Sequence, residues 1–494
     1  MAIAKKAPPA ARESANLKGT LTTSKITVMV VAAAAPISCI AGIIPLGFAL
    51  GGGAATPLAF LVAGAVLLLF SVGYAAMSRR MSGSGGFYKY VAHGLGRPPA
   101  VAASFVAIVA YNAVALTCVA GFGYFGNLIA GSVFGLHLPW PVLSVAAIAV
   151  VAFLGYREID VAARVLVYLL AAEVATIIIL DIAMVMNRGA DAFPLSIFSP
   201  HTVSDAKSIG LGFMFALLSF IGFESAALYG EETAEPHKTV PRATFLSVVV
   251  IAVFYFLSSW IAVGAIGPDK VQSVASKELG NTFFTLSDTY AGHALTTVMQ
   301  ITYLTSLLAS LLALHNVANR YVFVAGREGL LPRWVGSPHP RHRTPSRASL
   351  LQSSVNLLVV VVAASTGLDP YLTVVTSMTG VGTLGVMLLQ VAAAAAIGTY
   401  VARRTERLRG TLAATAAAFV GLSVLVVLIV KNFDKLTGVS SPLINSLPWL
   451  LVFVALAGTV LGTWLRARRP AVYARIGADP APQTRQESRQ EEQL

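Results

Sequence analysis

Apolar runs of about 20 residues alternate with short polar stretches along almost the whole of this 494-residue chain. A helical run of that length matches the roughly 30 Å hydrocarbon core of a bilayer. The pattern predicts twelve transmembrane helices, over residues 26–50, 57–77, 99–130, 140–155, 161–186, 206–230, 243–266, 293–319, 348–366, 371–398, 411–430 and 447–465. Inside lipid every backbone N–H and C=O needs a partner within the protein, so the expected fold is all-α and integral to the membrane. Residues 1–25 are polar and basic, without a small-residue cleavage site after a short apolar core, and are read as a retained N-terminal tail. Residues 466–494 are rich in Arg, Gln, Glu and Pro, and a disordered tail is expected there.

Composition removes the soluble alternative. Only 12% of residues are charged and mean hydropathy is +0.75, whereas a water-soluble chain carries roughly 25% charged residues. A net charge of +13 would fit a nucleic-acid partner, but placement argues otherwise. With the N-terminus inside, 29 Lys and Arg fall on the inner side and 6 on the outer. That asymmetry orients membrane proteins, so both termini are expected in the cytoplasm of a multi-pass plasma (inner) membrane protein. No nucleic acid is expected as partner; the bilayer and a small solute are. Arg outnumbers Lys, 24 to 11, which points to a bacterial, GC-rich source.

Motifs of other chemistries are weak here. Gly121–Gly126 and Gly380–Gly385 both match GxGxxG, but each lies in a membrane run where small residues let helices approach. There is no GxxxxGK[ST] loop and no HExxH, and the eight histidines are scattered, so neither a metal nor a cofactor is expected. Cys39 and Cys118 lie within apolar runs and imply no disulfide framework.

Two runs carry matched interruptions. The first holds Ser38-Cys39-Ile40-Ala41-Gly42-Ile43-Ile44-Pro45 and the sixth holds Ser219-Phe220-Ile221-Gly222-Phe223-Glu224. Paired Gly- or Pro-broken helices in two halves of a chain point to a transporter binding site. Unwound backbone there offers N–H groups to a carboxylate and C=O groups to an ammonium, which suits a zwitterion. Ser38, Ala41, Gly42, Ile43, Phe220, Ile221 and Gly222 are therefore the candidate substrate-binding residues. Tyr111 and Asn112, about 18 Å into the third helix, join them as candidates for the substrate side chain. For any one of these, plain helix packing is the bland alternative.

Glu173 is the most informative ionisable residue. It lies nine residues beyond Arg164, about 13 Å deeper along the fifth helix. A carboxylate at that depth is costly unless paired, protonated or bound to a cation, so function is the default reading. It is expected to carry a coupling proton. A structural acid bonded to the hydroxyls of Thr302, Thr305 or Ser306 is the alternative. Sodium, held by the same oxygens, ranks second as coupling ion.

Several motifs taken together resemble the amino acid–polyamine–organocation superfamily of permeases. Ser219–Ser225, Gly230-Glu231-Glu232 and Pro241-Arg242-Ala243 resemble its sixth helix and the exit from it. Gly85–Val91 resembles the loop after the second helix. Asn319-Arg320, Arg327–Pro332 and Thr344-Pro345 resemble the loop after the eighth. The resemblance implies a LeuT-like core of five plus five inverted helices over 26–398, with repeats 26–186 and 206–398, and peripheral helices over 411–465. It implies an alternating-access carrier of amino acids or related amines, and a gating role for Glu224. Ile40-Ala41-Gly42 stands where the family often shows Gly-Ser-Gly or Gly-Ala-Gly. The expected function is proton-coupled amino acid symport. An exchanger, a polyamine or cationic amino acid carrier, and a monovalent cation transporter or channel on the same scaffold are the alternatives. An enzyme is not expected.

Overall fold

A computed structural model describes residues 22–79, 86–157, 163–204, 209–226, 233, 235–339, 344–403, 409–435 and 442–478. The first apolar run forms three helices, α1 (Thr23–Ala33), α2 (Pro36–Gly42) and α3 (Ile44–Leu50). Pro36 and Pro45 encode the two interruptions. Each stands in the first turn of the helix it opens, where a missing N–H costs nothing, whereas inside a continuous helix it would remove a bond and clash. Between α1 and α2, Ala35 takes the left-handed φ of 47°. The main break thus falls one turn before the stretch 38–45 that the sequence pattern marks, with a lesser one at Ile43.

The chain then returns through α4 (Thr56–Ser78), crosses by a short α5 (Gly86–Gly94) and enters α6 (Arg97–Phe134). With 38 residues, α6 is about 57 Å long. α7 (Trp140–Arg157), α8 (Ala163–Arg188), the short α9 (Pro200–Ser204) and α10 (Ile209–Leu218) follow. After Leu218 the sixth run tightens into 3-10 turns, with Phe220 N–H donating to Leu217 O and Ile221 N–H to Leu218 O. Gly222, at φ 115°, separates these turns from a short 3-10 stretch over 223–226; a side chain at that angle is strained.

The remainder comprises α11 (Pro236–Ile266), α12 (Val271–Glu278), α13 (Thr282–Ala291), α14 (His293–Glu328) and α15 (Ser346–Ser365). A π-turn over Pro370–Val375 leads into α16 (Thr376–Ala402), then α17 (Arg409–Lys431), α18 (Pro442–Asn445), α19 (Leu447–Arg468) and α20 (Pro470–Arg475). Among the described residues, eleven helical segments are long and apolar enough to cross a membrane. The fourth expected span is a shorter apolar helix, Trp140–Tyr156.

α6 is the central post, packed by α7, α14, α16 and α19, while α4 packs against α11 and α17. A Cβ on Gly382 or Gly385 would come within 3.0 Å of Val114 or Ala110, so the second GxGxxG run is a close contact between α16 and α6. α19 turns Trp449, Phe453, Leu456 and Val460 outward. Such a stripe fits a lipid-facing surface.

The segment 466–478, expected as disordered, is helical and docked. The Arg97 guanidinium donates to Ala474 O (3.1 Å) and Ile476 O (3.4 Å) and lies 5.1 Å above the Tyr473 ring. Ile476 is buried. Beside it Tyr88 donates a hydrogen bond to the Glu328 carboxylate. Burial pushes the Tyr88 phenol well above its ordinary range, which keeps it a donor.

Candidate functional site

The two broken runs meet around an internal cavity of about 70 Å³. Ala33, Ala34 and Ala35 bring the first break to its wall, with Ser38, Gly42 and Ile43 from α2 and its end. Leu218 and Ile221 bring the second. Gly222 stands against α1: a Cβ there would sit 3.4 Å from Ala33 Cβ. Its neighbour across the interface is therefore the Pro36 break. Gly42 instead faces the Tyr303 hydroxyl of α14, closer than a Cβ would allow.

Breaking a helix frees peptide groups, and each needs a destination. The carbonyl of Ala34 accepts from the Tyr255 hydroxyl at 3.1 Å and the Cys39 thiol at 3.3 Å. The Gly42 carbonyl accepts from the Tyr371 hydroxyl at 2.7 Å. The Ile37 N–H is taken by the Glu173 carboxylate. One polar side chain at this break stays unmatched: Ser38, only 7% exposed, has an Oγ without a hydrogen-bond partner and lines the cavity.

Glu173 is buried on α8 and joins two elements. Its Oε2 accepts from Ser306 Oγ of α14 at 2.9 Å, while its carboxylate holds the Ile37 N–H at the start of α2. Hydrogen bonds to an ionised carboxylate are about twice as strong as neutral ones. Neutralising Glu173 therefore loosens the tie between α8 and the broken first run. Thr302 and Thr305 do not contribute: their hydroxyls donate to Val298 O and Thr302 O of their own helix. Only Ser306 of the three reaches the acid.

Glu224 pins the second break. Its Oε2 accepts from the Gly222 N–H at 3.0 Å and its Oε1 from the Tyr111 hydroxyl at 2.6 Å. The Glu224 carbonyl takes the Tyr74 hydroxyl at 2.9 Å. Tyr111 stacks on Tyr321 with ring centroids 5.4 Å apart, and Tyr74 packs edge-on to Tyr90 at 5.0 Å. A second aromatic group closes the cavity at the end towards Phe134, where Phe125 and Tyr303 lie 4.4 Å apart and Tyr371 stacks on Tyr124 at 4.6 Å.

Ser38, Gly42, Ile43 and Ile221 of the predicted binding residues line the cavity. Ala41 is buried on the opposite side of α2, and the Phe220 ring reaches towards Gly64 of α4. Tyr111 belongs to the Glu224 cluster, and Asn112 donates to Ile108 O of its own helix. The cavity-facing stripe of α6 comes later, at Val114, Thr117, Cys118, Gly121 and Phe125. The cause is length. The midpoint of a helix running from Arg97 to Phe134 falls near residue 116. Spacings of three and four residues with small or hydroxyl side chains were the available signal. Tyr303, Leu307, Ser310 and Leu314 of α14, with Tyr371 and Val375, complete the wall without any such mark.

A family model described as "Amino acid permease" matches residues 21–457. The chain is 25% identical over 349 residues to the branched-chain amino acid permease BcaP of Bacillus subtilis, covering 63% of this chain and 68% of that one. It is 26% identical over 328 residues to the methylthioribose transporter of the same species, covering 62% and 67%. To the human cystine/glutamate transporter it is 24% identical over 306 residues, covering 60% and 59%.

Proposed function

We infer the function of this chain from one premise: it belongs to the amino acid permease family, within the amino acid–polyamine–organocation superfamily. It is a multi-pass membrane protein of a transporter family, and amino acid transport is the activity its family and relatives support. Beyond that, we propose a secondary carrier that works by alternating access across the plasma membrane, with both termini inside and protons as the coupling ion. On this reading the helices of 26–398 form two inverted repeats of five, and the interrupted first and sixth runs are their corresponding members.

The observation that carries the proposal is the cavity between the two breaks. There the Ser38 hydroxyl lacks a partner while neighbouring freed peptide groups have found theirs. A bound zwitterion supplies the missing partner and links the two breaks. The Phe125–Tyr303 pair in its wall fits a gate on one side of the site.

Glu173 fits the coupling role through its two ties, to Ser306 and to the start of α2. Protonation weakens both, freeing the broken run to shift. Sodium is the weaker reading, because of the three expected hydroxyls only Ser306 bonds the acid. Reconstitution in proteoliposomes tests the whole. Radiolabelled amino acid should accumulate when the outside is made acidic, and rubidium should not. Rubidium flux without amino acid uptake would overturn the carrier reading in favour of a cation transporter.

A further inference from the structure

We infer that the substrate carries a small, uncharged, apolar side chain, and that Gly121 and Leu307 set its size limit. This rests on the carrier reading above and narrows it to a chemical class.

Charge is the first filter. No Asp, Glu, Lys, Arg or His lines the cavity. The two membrane-depth acids nearest to it are engaged elsewhere, Glu173 with Ser306 and the Ile37 N–H, Glu224 with Tyr111 and the Gly222 N–H. An ionised side chain would add a net charge to a cavity whose lining carries none, whereas the two opposite charges of a zwitterion offset one another; burying an uncompensated charge is strongly unfavourable. Polyamines and acidic or basic amino acids are excluded on that ground.

Size is the second filter. The free volume of about 70 Å³ is half of the roughly 150 Å³ that accepts a benzene ring in a protein interior. The site must also hold the amino acid backbone, so the smallest side chains need the least widening of it and an aromatic one the most. The polar Ser38 lies at the break, while Val114, Cys118, Gly121 and Leu307 make an apolar wall on α6 and α14, with the Thr117 hydroxyl turned to Ala113 O of its own helix and the Ser310 hydroxyl at its margin. A substrate thus places its charged backbone groups at the break and its side chain against that wall. A Cβ on Gly121 would lie 3.8 Å from Leu307 Cδ2, an ordinary contact, so alanine is accommodated there without strain and takes its volume from the cavity.

Equilibrium binding to purified, full-length protein, read as competition against a labelled bound amino acid, tests the inference. Alanine and valine should compete at least tenfold better than phenylalanine, glutamate, lysine or putrescine. Gly121→Ala should weaken valine relative to alanine by about tenfold or more, and Leu307→Ala should strengthen phenylalanine by a similar factor, as expected for one or a few methylenes in an apolar pocket. A second readout does not depend on either variant folding. Cys39 and Cys118, the chain's two cysteines, both line the cavity. Alanine and valine should slow their alkylation by a small maleimide, and glutamate and lysine should not. Competition by phenylalanine, glutamate, lysine or putrescine as strong as by alanine would overturn the substrate class and leave the carrier reading standing. Failure of every amino acid both to bind and to protect the thiols would overturn the carrier reading itself.

Discussion

Gly42→Ala is the sharpest test of how the site is built. The added methyl would meet the Tyr303 hydroxyl well inside 3.0 Å, a separation real Cβ atoms do not show, with the ring carbon Cζ next at 3.2 Å. The hydroxyl must retreat by roughly 1 Å to reach ordinary contact, and such overpacking costs about 1–3 kcal/mol. Tyr303 has little room to yield, since its ring packs on Phe125 at 4.4 Å and Phe284 at 5.8 Å. At about 1.4 kcal/mol per tenfold, substrate affinity should fall by roughly 5- to 100-fold. Tyr303→Phe removes the clashing atom and leaves Cζ at 3.2 Å, which a shift of a few tenths of an ångström relieves. Binding measured across the double-mutant cycle should therefore show a favourable coupling of about 1–2 kcal/mol, within the range for residues in contact. Wild-type affinity in Gly42→Ala alone, or no rescue by the second change, would refute this account of the wall between α2 and α14.

Three further expectations follow from the same geometry. Glu173→Gln keeps the shape of the side chain but cannot exchange a proton; accumulation driven by a pH gradient should vanish while substrate counterflow persists, and unchanged pH-driven accumulation would remove Glu173 from the coupling role. Tyr111→Phe leaves the Glu224 carboxylate short of a hydrogen bond, a loss of about 1.5–3 kcal/mol for a charged acceptor. Because Tyr111 is outside the cavity wall, uptake assays should show a transport rate reduced roughly tenfold or more with KM near wild type; a change confined to KM would contradict the placement. Arg97→Ala removes two hydrogen bonds and a ring contact from the docked segment 469–478. Limited proteolysis should then cut near Tyr473 several times faster, at a cost in stability of about 1–2 kcal/mol.

Much of the architecture is legible along the chain because lipid imposes a one-dimensional rule. Each crossing needs a helix of fixed length, so apolar runs and the loops between them can be read without knowing what packs on what. Broken runs are legible for a similar local reason, since Pro36, Pro45 and Gly222 act on their own backbone. Which surfaces meet is a different matter. The placement of Ser306, and not Thr302 or Thr305, against Glu173 depends on the rotation of α14 relative to α8. Tyr111 faces Glu224 because α6 continues to Phe134 and moves the middle of the membrane towards Gly121. Gly222 meets Ala33 because the break opens at Pro36. The chain by itself determined that the fold is all-helical and built of membrane-length apolar runs, and that the first and sixth of them are interrupted. Their helical phase against one another, set by close packing over contacts far apart in sequence, decided which polar and ionisable groups face the cavity and which tie neighbouring helices together.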